Sequence, residues 1–331
     1  MFRKTVHIAI LTVLTAICIS AQTPSPMPTV APMPTASPMP VASLETILTE
    51  AEKQVENYQE TFKDLLAIEK KTFEKYGKKG DLKDETVIES NFFVYQSSKD
   101  AKTSTELRNV LKVDEKLVPD SQARADRFLG ELQKTTTAKK ELEKIQEEGG
   151  RYDKTIEISG MTLFEAITLA DNLRPFFDFK LLGSENYEGR DVYVVAYQQT
   201  KKSPFITVNE KKTKEQGRFA DFDVSLPGSL KKSDAFLRGK LWIDAQTFQI
   251  WREERQLAVQ TAQPIVVQET IFEYQQSEYG ILVPKKITLT DNSIKKTNKD
   301  NEFAALKNTR VIFDYSKFRK TNVEIQFVDE P

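Results

Sequence analysis

The chain has 331 residues, with 48 Lys and Arg against 49 Asp and Glu, for a net charge of −1. That balance lacks the basic excess of a nucleic-acid binder. The single histidine, His7, and the single cysteine, Cys18, both fall within the first 21 residues, so the rest of the chain has no imidazole and no thiol. A disulfide, an ordinary His/Cys zinc site and a Ser-His or Cys-His nucleophile are thereby excluded from it.

Residues 1–21 have the pattern of a secretory signal: Arg3 and Lys4, then a short apolar run from Val6 to Ile19, then Ser20-Ala21 for cleavage. The run is shorter than the roughly 18 apolar residues of a membrane span. Cleavage after Ala21 implies export to the periplasm or outer envelope. Cys18 fits a lipid anchor poorly, because Ile17 stands where a small residue is needed.

Residues 22–42 read as a linker. Half of the 14 prolines lie between Pro24 and Pro40, in the repeats Ser25-Pro-Met-Pro28, Ala31-Pro-Met-Pro34 and Ser37-Pro-Met-Pro40. Such a segment favours polyproline II, spanning roughly 50 Å, and serves either as a spacer or as a featureless leader.

A single domain is expected over 43–331. Ser43 is a helix N-cap, and Leu44, Leu48, Ala51, Val55, Tyr58 and Phe62 line one helical face, predicting a helix to about residue 60. Strands follow from Leu66, over Thr86–Gln96 and over Glu106–Val113, with Gly77–Asp81 as a turn. A helical insert is expected around 119–173: one helix after Pro119-Asp120, one over Ala138–Glu148 ended by Gly149-Gly150, and one over Met161–Leu173 stopped by Pro175. From Phe176 onward strands alternate with short turns, which implies an antiparallel meander.

Few motifs carry chemistry. No glycine-rich phosphate loop occurs. Ser229-Leu-Lys-Lys232 matches Ser-x-x-Lys, but its companion motifs are missing and Pro227-Gly228 precedes it, so it reads as a polar loop. Asp221 and Asp223 read as solvated strand positions, with an acid pair as the sharper alternative. Glu253 and Arg255 share the parity of Trp251 and are read as an exposed cross-strand ladder, with an inward polar pair as the alternative.

The strongest signal is an apolar sheet face to which Phe177, Phe179, Leu241, Ile243, Ile271, Ile287, Leu289, Val311 and Phe313 are assigned. Such a face is either packed beneath helices or left as an apolar ligand cavity.

The order of elements, with Leu237-Arg-Gly-Lys-Leu-Trp-Ile-Asp244, Thr247-Phe-Gln-Ile-Trp-Arg252, Tyr279-Gly-Ile-Leu-Val-Pro284 and Tyr315-Ser-Lys-Phe-Arg319, resembles the half-barrel envelope proteins of the LolA/LolB/RseB type. Val110-Leu-Lys-Val-Asp-Glu-Lys-Leu-Val-Pro119, with Arg124 and Arg127-Phe-Leu129, resembles uncharacterised secreted proteins of acidobacterial type. The long insert and proline-rich leader depart from the carrier proper. The resemblance implies an α+β fold: a curved, open antiparallel sheet with helices packed on its concave face. It also implies a non-enzymatic protein, without cofactor or metal, that binds a lipid acyl chain or lipoprotein in a cavity formed by the nine residues above. An envelope sensor or scaffold binding a protein partner is the alternative, and a hydrolase using carboxylates alone is a third. A monomer is expected.

Overall fold

A computed structural model describes residues 42–62, 65–96, 104–132, 136–152, 166–170, 173–202, 206–208, 222–224, 226–297, 302–320 and 326–328. The signal and nearly all of the linker, the first part of the third expected insert helix, and Asp221 lie outside these residues.

Helix α1 spans Leu44–Thr61. Ser43 caps it: its Oγ accepts a hydrogen bond from the Thr46 amide at 3.1 Å, satisfying one of the orphan donors of the first turn. Ile47, Leu48, Ala51, Val55 and Tyr58 are buried at spacings of three and four, so one stripe of the helix faces the sheet.

The strands are β1 (Leu65–Tyr76), β2 (Leu82–Gln96), β3 (Ser104–Val113), β4 (Lys116–Leu117), β5 (Thr136–Ala138), β6 (Phe177–Tyr187), β7 (Arg190–Gln199), β8 (Ile206–Val208), β9 (Phe222–Val224), β10 (Ala235–Asp244), β11 (Ile250–Val259), β12 (Ile265–Gln276), β13 (Leu282–Lys296), β14 (Phe303–Lys320) and β15 (Gln326–Val328). Eleven form one antiparallel sheet in the order β4-β3-β2-β1-β14-β13-β12-β11-β10-β7-β6. The late strand β14 lies against β1, joining the N-terminal meander to the C-terminal one, with Lys71 opposite Phe313 and Phe73 opposite Val311. The sheet is curved and unclosed, and its end strands β4 and β6 do not pair. Register shifts occur in every neighbouring pair except β7–β10 and the short β3–β4. Bulges of this kind bend a strand and raise its local twist.

Helices α2 (Ser121–Leu132) and α3 (Lys139–Gly150) pack against β3. Phe128 joins Leu66, Phe93 and Leu107 on one sheet face, while Gly149 abuts the Arg108 carbonyl, where a side chain would collide. Together they shield the β3 edge from strand pairing. Of the third expected insert helix, residues 166–170 and Leu173 are described, and they hold a short 3₁₀ turn at Ile167–Leu169 instead of α-helix; a second such turn follows at Arg174–Phe176.

Candidate functional site: the sheet face beneath the first helix

Register places one set of residues on the face that carries α1. Across the sheet run Ile88, Lys71, Phe313, Ile287, Phe272, Glu253, Leu241 and Val195, each opposite the next. The next row holds Phe73, Val311, Leu289, Thr270, Arg255, Gly239, Tyr197 and Phe179. The first turns of α1 cover the β7–β12 part of this face, and Tyr58 and Phe62 cover the β1–β2 and β12–β14 part.

Six of the nine expected residues, Leu241, Ile243, Ile287, Leu289, Val311 and Phe313, meet on this face and are 0–4 % exposed. At that exposure scarcely a water molecule touches them: they are packed as core, not arranged around a hollow. Phe177 and Phe179 share the face at the β6 end. Ile271 does not belong with them. Its register partners are Glu254 and Thr288, one step out of phase with the Glu253–Phe272–Ile287 row, so it projects from the opposite face. Phe272 occupies the inward position instead.

Glu253 and Arg255 are also inward, so the exposed-ladder reading fails and the inward polar pair is correct. Arg255 Nε donates to Glu253 Oε1 at 2.9 Å and Nη2 to Oε2 at 2.6 Å. The Tyr197 hydroxyl donates to Oε1 at 2.8 Å and the Ala166 amide to Oε2 at 3.1 Å. Gly239 makes room for this arrangement, because a Cβ there would collide with the Tyr197 ring. Burial and the neighbouring Glu253 charge push the Tyr197 hydroxyl well above the tyrosine range. Burial pulls the Arg255 guanidinium down, but the Glu253 carboxylate outweighs it and the group titrates above its ordinary value. A ladder does form on the other face, from Arg252 to Glu254 at 2.8 Å and to Glu273 at 3.1 Å.

A second buried ionic group lies toward β1–β3. Arg108 bonds both Glu69 oxygens at 2.7 and 2.8 Å and Glu106 at 2.8 Å. Burial raises the Glu69 carboxyl, yet Arg108 and Lys71 hold it below the usual carboxylate range. In both groups the carboxylates are engaged by an arginine, and both oxygens of Glu253 and of Glu69 are held. They balance charge in the core and leave no acid poised for proton transfer. Ser229 and Lys232 are exposed on a turn, and among the described residues no acidic cluster could hold a metal ion.

An open groove of about 520 Å³ lies at the β6 end, between the first turns of α1 and β6. Leu44, Leu48, Pro175, Phe177 and Phe179 form its apolar side, and Glu45, Glu52, Arg174 and Asp178 also line it. Arg174 stands at its rim, donating to Glu52 at 2.6 Å and to Glu45 at 2.9 Å. Phe177 meets Tyr197 edge to face at 5.8 Å, so an aromatic wall leads from the groove to the buried Glu253–Arg255 pair. Sequence reasoning found Phe177 and Phe179. In the sequence Leu44 and Leu48 read only as a helix face, and their four-residue spacing is the available signal. Nothing in the sequence pointed to Arg174.

No family model matches the chain, and no curated protein matches it. Solved structures give distant likenesses. A DUF1329 family protein from Desulfovibrio piger is 11 % identical over 85 % of this chain and 95 % of its own, with a TM-score of 0.36. A domain assigned to outer membrane lipoprotein sorting, from Vibrio parahaemolyticus, is 11 % identical over 84 % of this chain and 93 % of its own, with a TM-score of 0.37. A LolA-superfamily protein from Nitrosomonas europaea is 10 % identical over 88 % of this chain and 96 % of its own, with a TM-score of 0.31.

Proposed function

We propose that the protein is a non-enzymatic envelope protein that takes up one apolar chain, the acyl chain of a lipid or of a lipidated partner, through the groove between α1 and β6. The observation that carries this reading is the groove itself. It is open to solvent, its charged lining residues Glu45, Glu52, Arg174 and Asp178 stand beside an apolar wall, and that wall of Leu44, Leu48, Phe177 and Phe179 is continuous with the greasy face beneath α1. Its volume of about 520 Å³ falls within the roughly 300–1,000 Å³ of small-molecule sites. Because the centre of the face is solid, a long chain enters only as α1 lifts, and α1 acts as the cover. Each methylene buried contributes about 0.8 kcal/mol.

Native mass spectrometry of protein purified from its own envelope tests this directly. Adducts of lipid mass are expected, and Phe179→Glu, which sets a carboxylate on the groove wall, is expected to weaken uptake of a fatty-acyl probe by about tenfold or more. Apo mass in repeated preparations, with no probe uptake, contradicts the reading. The packed centre supports a second reading, a scaffold that binds a protein partner by its surface. That reading predicts a crosslinked partner and indifference to acyl probes.

A further inference from the structure

Strand β6 stands last in the sheet, and among the described residues no strand pairs with its outer edge. The Thr200 amide donates to the Phe176 carbonyl at 2.9 Å, which fixes the alternation along this pair of strands. Asp178 and Lys180 therefore direct their main-chain groups toward β7, and Phe177, Phe179 and Leu181 direct theirs outward. Beyond Leu181 the register shifts at Gly183, whose φ is +143°, and Leu182 is left 50 % exposed. The regular open edge is thus the five residues Phe177-Asp178-Phe179-Lys180-Leu181.

An unpaired edge is a template for another strand, and proteins that keep one open usually blunt it with charge, proline or a bulge. Here the bulge blunts the far half, while the near half carries one exposed charge of each sign, Asp178 and Lys180. The near half is self-complementary. Set antiparallel to a second copy about a two-fold axis through Phe179, each Asp178 faces Lys180 of the partner subunit, and each Phe177 faces the partner's Leu181. The outward main-chain groups of Phe177, Phe179 and Leu181 then fall in the hydrogen-bonded pairs. Asp178 and Lys180, both exposed, fall in the non-hydrogen-bonded pairs, where side chains approach more closely and opposite charges stabilise. The half-buried Phe179 side chains, on the α1 face, meet at the axis, and each groove gains an aromatic wall from the partner's Phe179.

We propose that β6 is a self-pairing edge, through which two copies of this chain join their sheets into one and close their grooves against each other. The two-fold contact is closed, because each β6 edge is taken up by the other copy's, and so this contact stops at the dimer. Backbone geometry and charge order carry this inference, and it stands whether or not the groove takes a lipid.

Sedimentation velocity of the full chain, from low to high micromolar concentration in low-salt buffer, tests it. The wild type is expected to be a dimer. Asp178→Lys and Lys180→Asp each set like charges opposite one another and are expected to weaken the dimer by about tenfold or more. The double reversal D178K/K180D restores the opposite pairs and is expected to restore the dimer. Both residues are exposed, so the fold is not at stake. A wild type that stays monomeric, a dimer indifferent to the single changes, or a double variant that fails to recover each overturns the proposal. The first of these leaves the edge to an extended segment of another protein.

Discussion

Glu253 and Arg255 lie where a charge without its counterpart is expensive, with both Glu253 oxygens engaged by Arg255 Nε and Nη2, the Tyr197 hydroxyl and the Ala166 amide. Removing one partner therefore does more harm than the pair does good. Glu253→Gln is expected to destabilise the protein by about 3–5 kcal/mol, because Arg255 is left buried without an anion. Tyr197→Phe, which deletes one hydrogen bond to the same carboxylate and leaves the ion pair in place, is expected to lose less, about 1.5–3 kcal/mol. Urea unfolding followed by circular dichroism separates the two; equal losses contradict the account. The pH dependence follows from the same groups. Glu69 titrates below its ordinary 4.5 in the folded state, so its stabilisation is present above that value and is lost as pH falls through the folded one. Tyr197 and Tyr315 titrate well above 10.0, so their contribution is full below that value and declines as pH rises past it. A plateau between these limits, with acid loss beginning below about pH 4.5, is the expected unfolding profile.

At the scale of elements, α1 holds to the sheet by one stripe of side chains and a capped first turn. Ser43→Ala is expected to destabilise by about 1 kcal/mol, and to loosen the groove end of the helix first. Near-unchanged thermal stability and unchanged exchange of the first-turn amides contradict that. Most of the strands were legible from apolar alternation, because a period of two needs only local sequence. Which side of a strand turns inward is a tertiary matter. Trp251, Glu253 and Arg255 clearly share a parity, but charge alone argued for solvent. The telling neighbours were Leu257 and Val259, which continue that parity as buried apolar residues. In β12 the adjacent Ile271 and Phe272 are both apolar, and only the buried Tyr274, sharing the parity of Phe272, marks the inner side. Among its described residues, the helix expected over Met161–Leu173 gives way to a 3₁₀ turn at Ile167–Leu169, with Ala166 at a φ of +36° and its amide drawn onto Glu253. Tertiary hydrogen bonding overrides local helical periodicity there.

At the scale of the molecule, the arrangement depends on contacts far apart in sequence. Strand β14 closes on β1, and α1 near the N-terminus covers strands from the C-terminal half. No local pattern announces either, which is why the greasy face could be assigned while its filling could not. The groove is legible only once Pro175 and the β6 phenylalanines are brought to Leu44 and Leu48. In the proposed function the sheet stays fixed and α1 lifts as its cover. Hydrogen exchange resolved by segment, with and without a fatty-acyl ligand, tests that division most directly. Amides of α1 are expected to exchange by local opening, faster than those of β13 and β14, and to change protection when the acyl chain is added while the strands do not. If α1 exchanges only with global unfolding and the ligand leaves it untouched, the helix is a fixed part of the core and the account is contradicted.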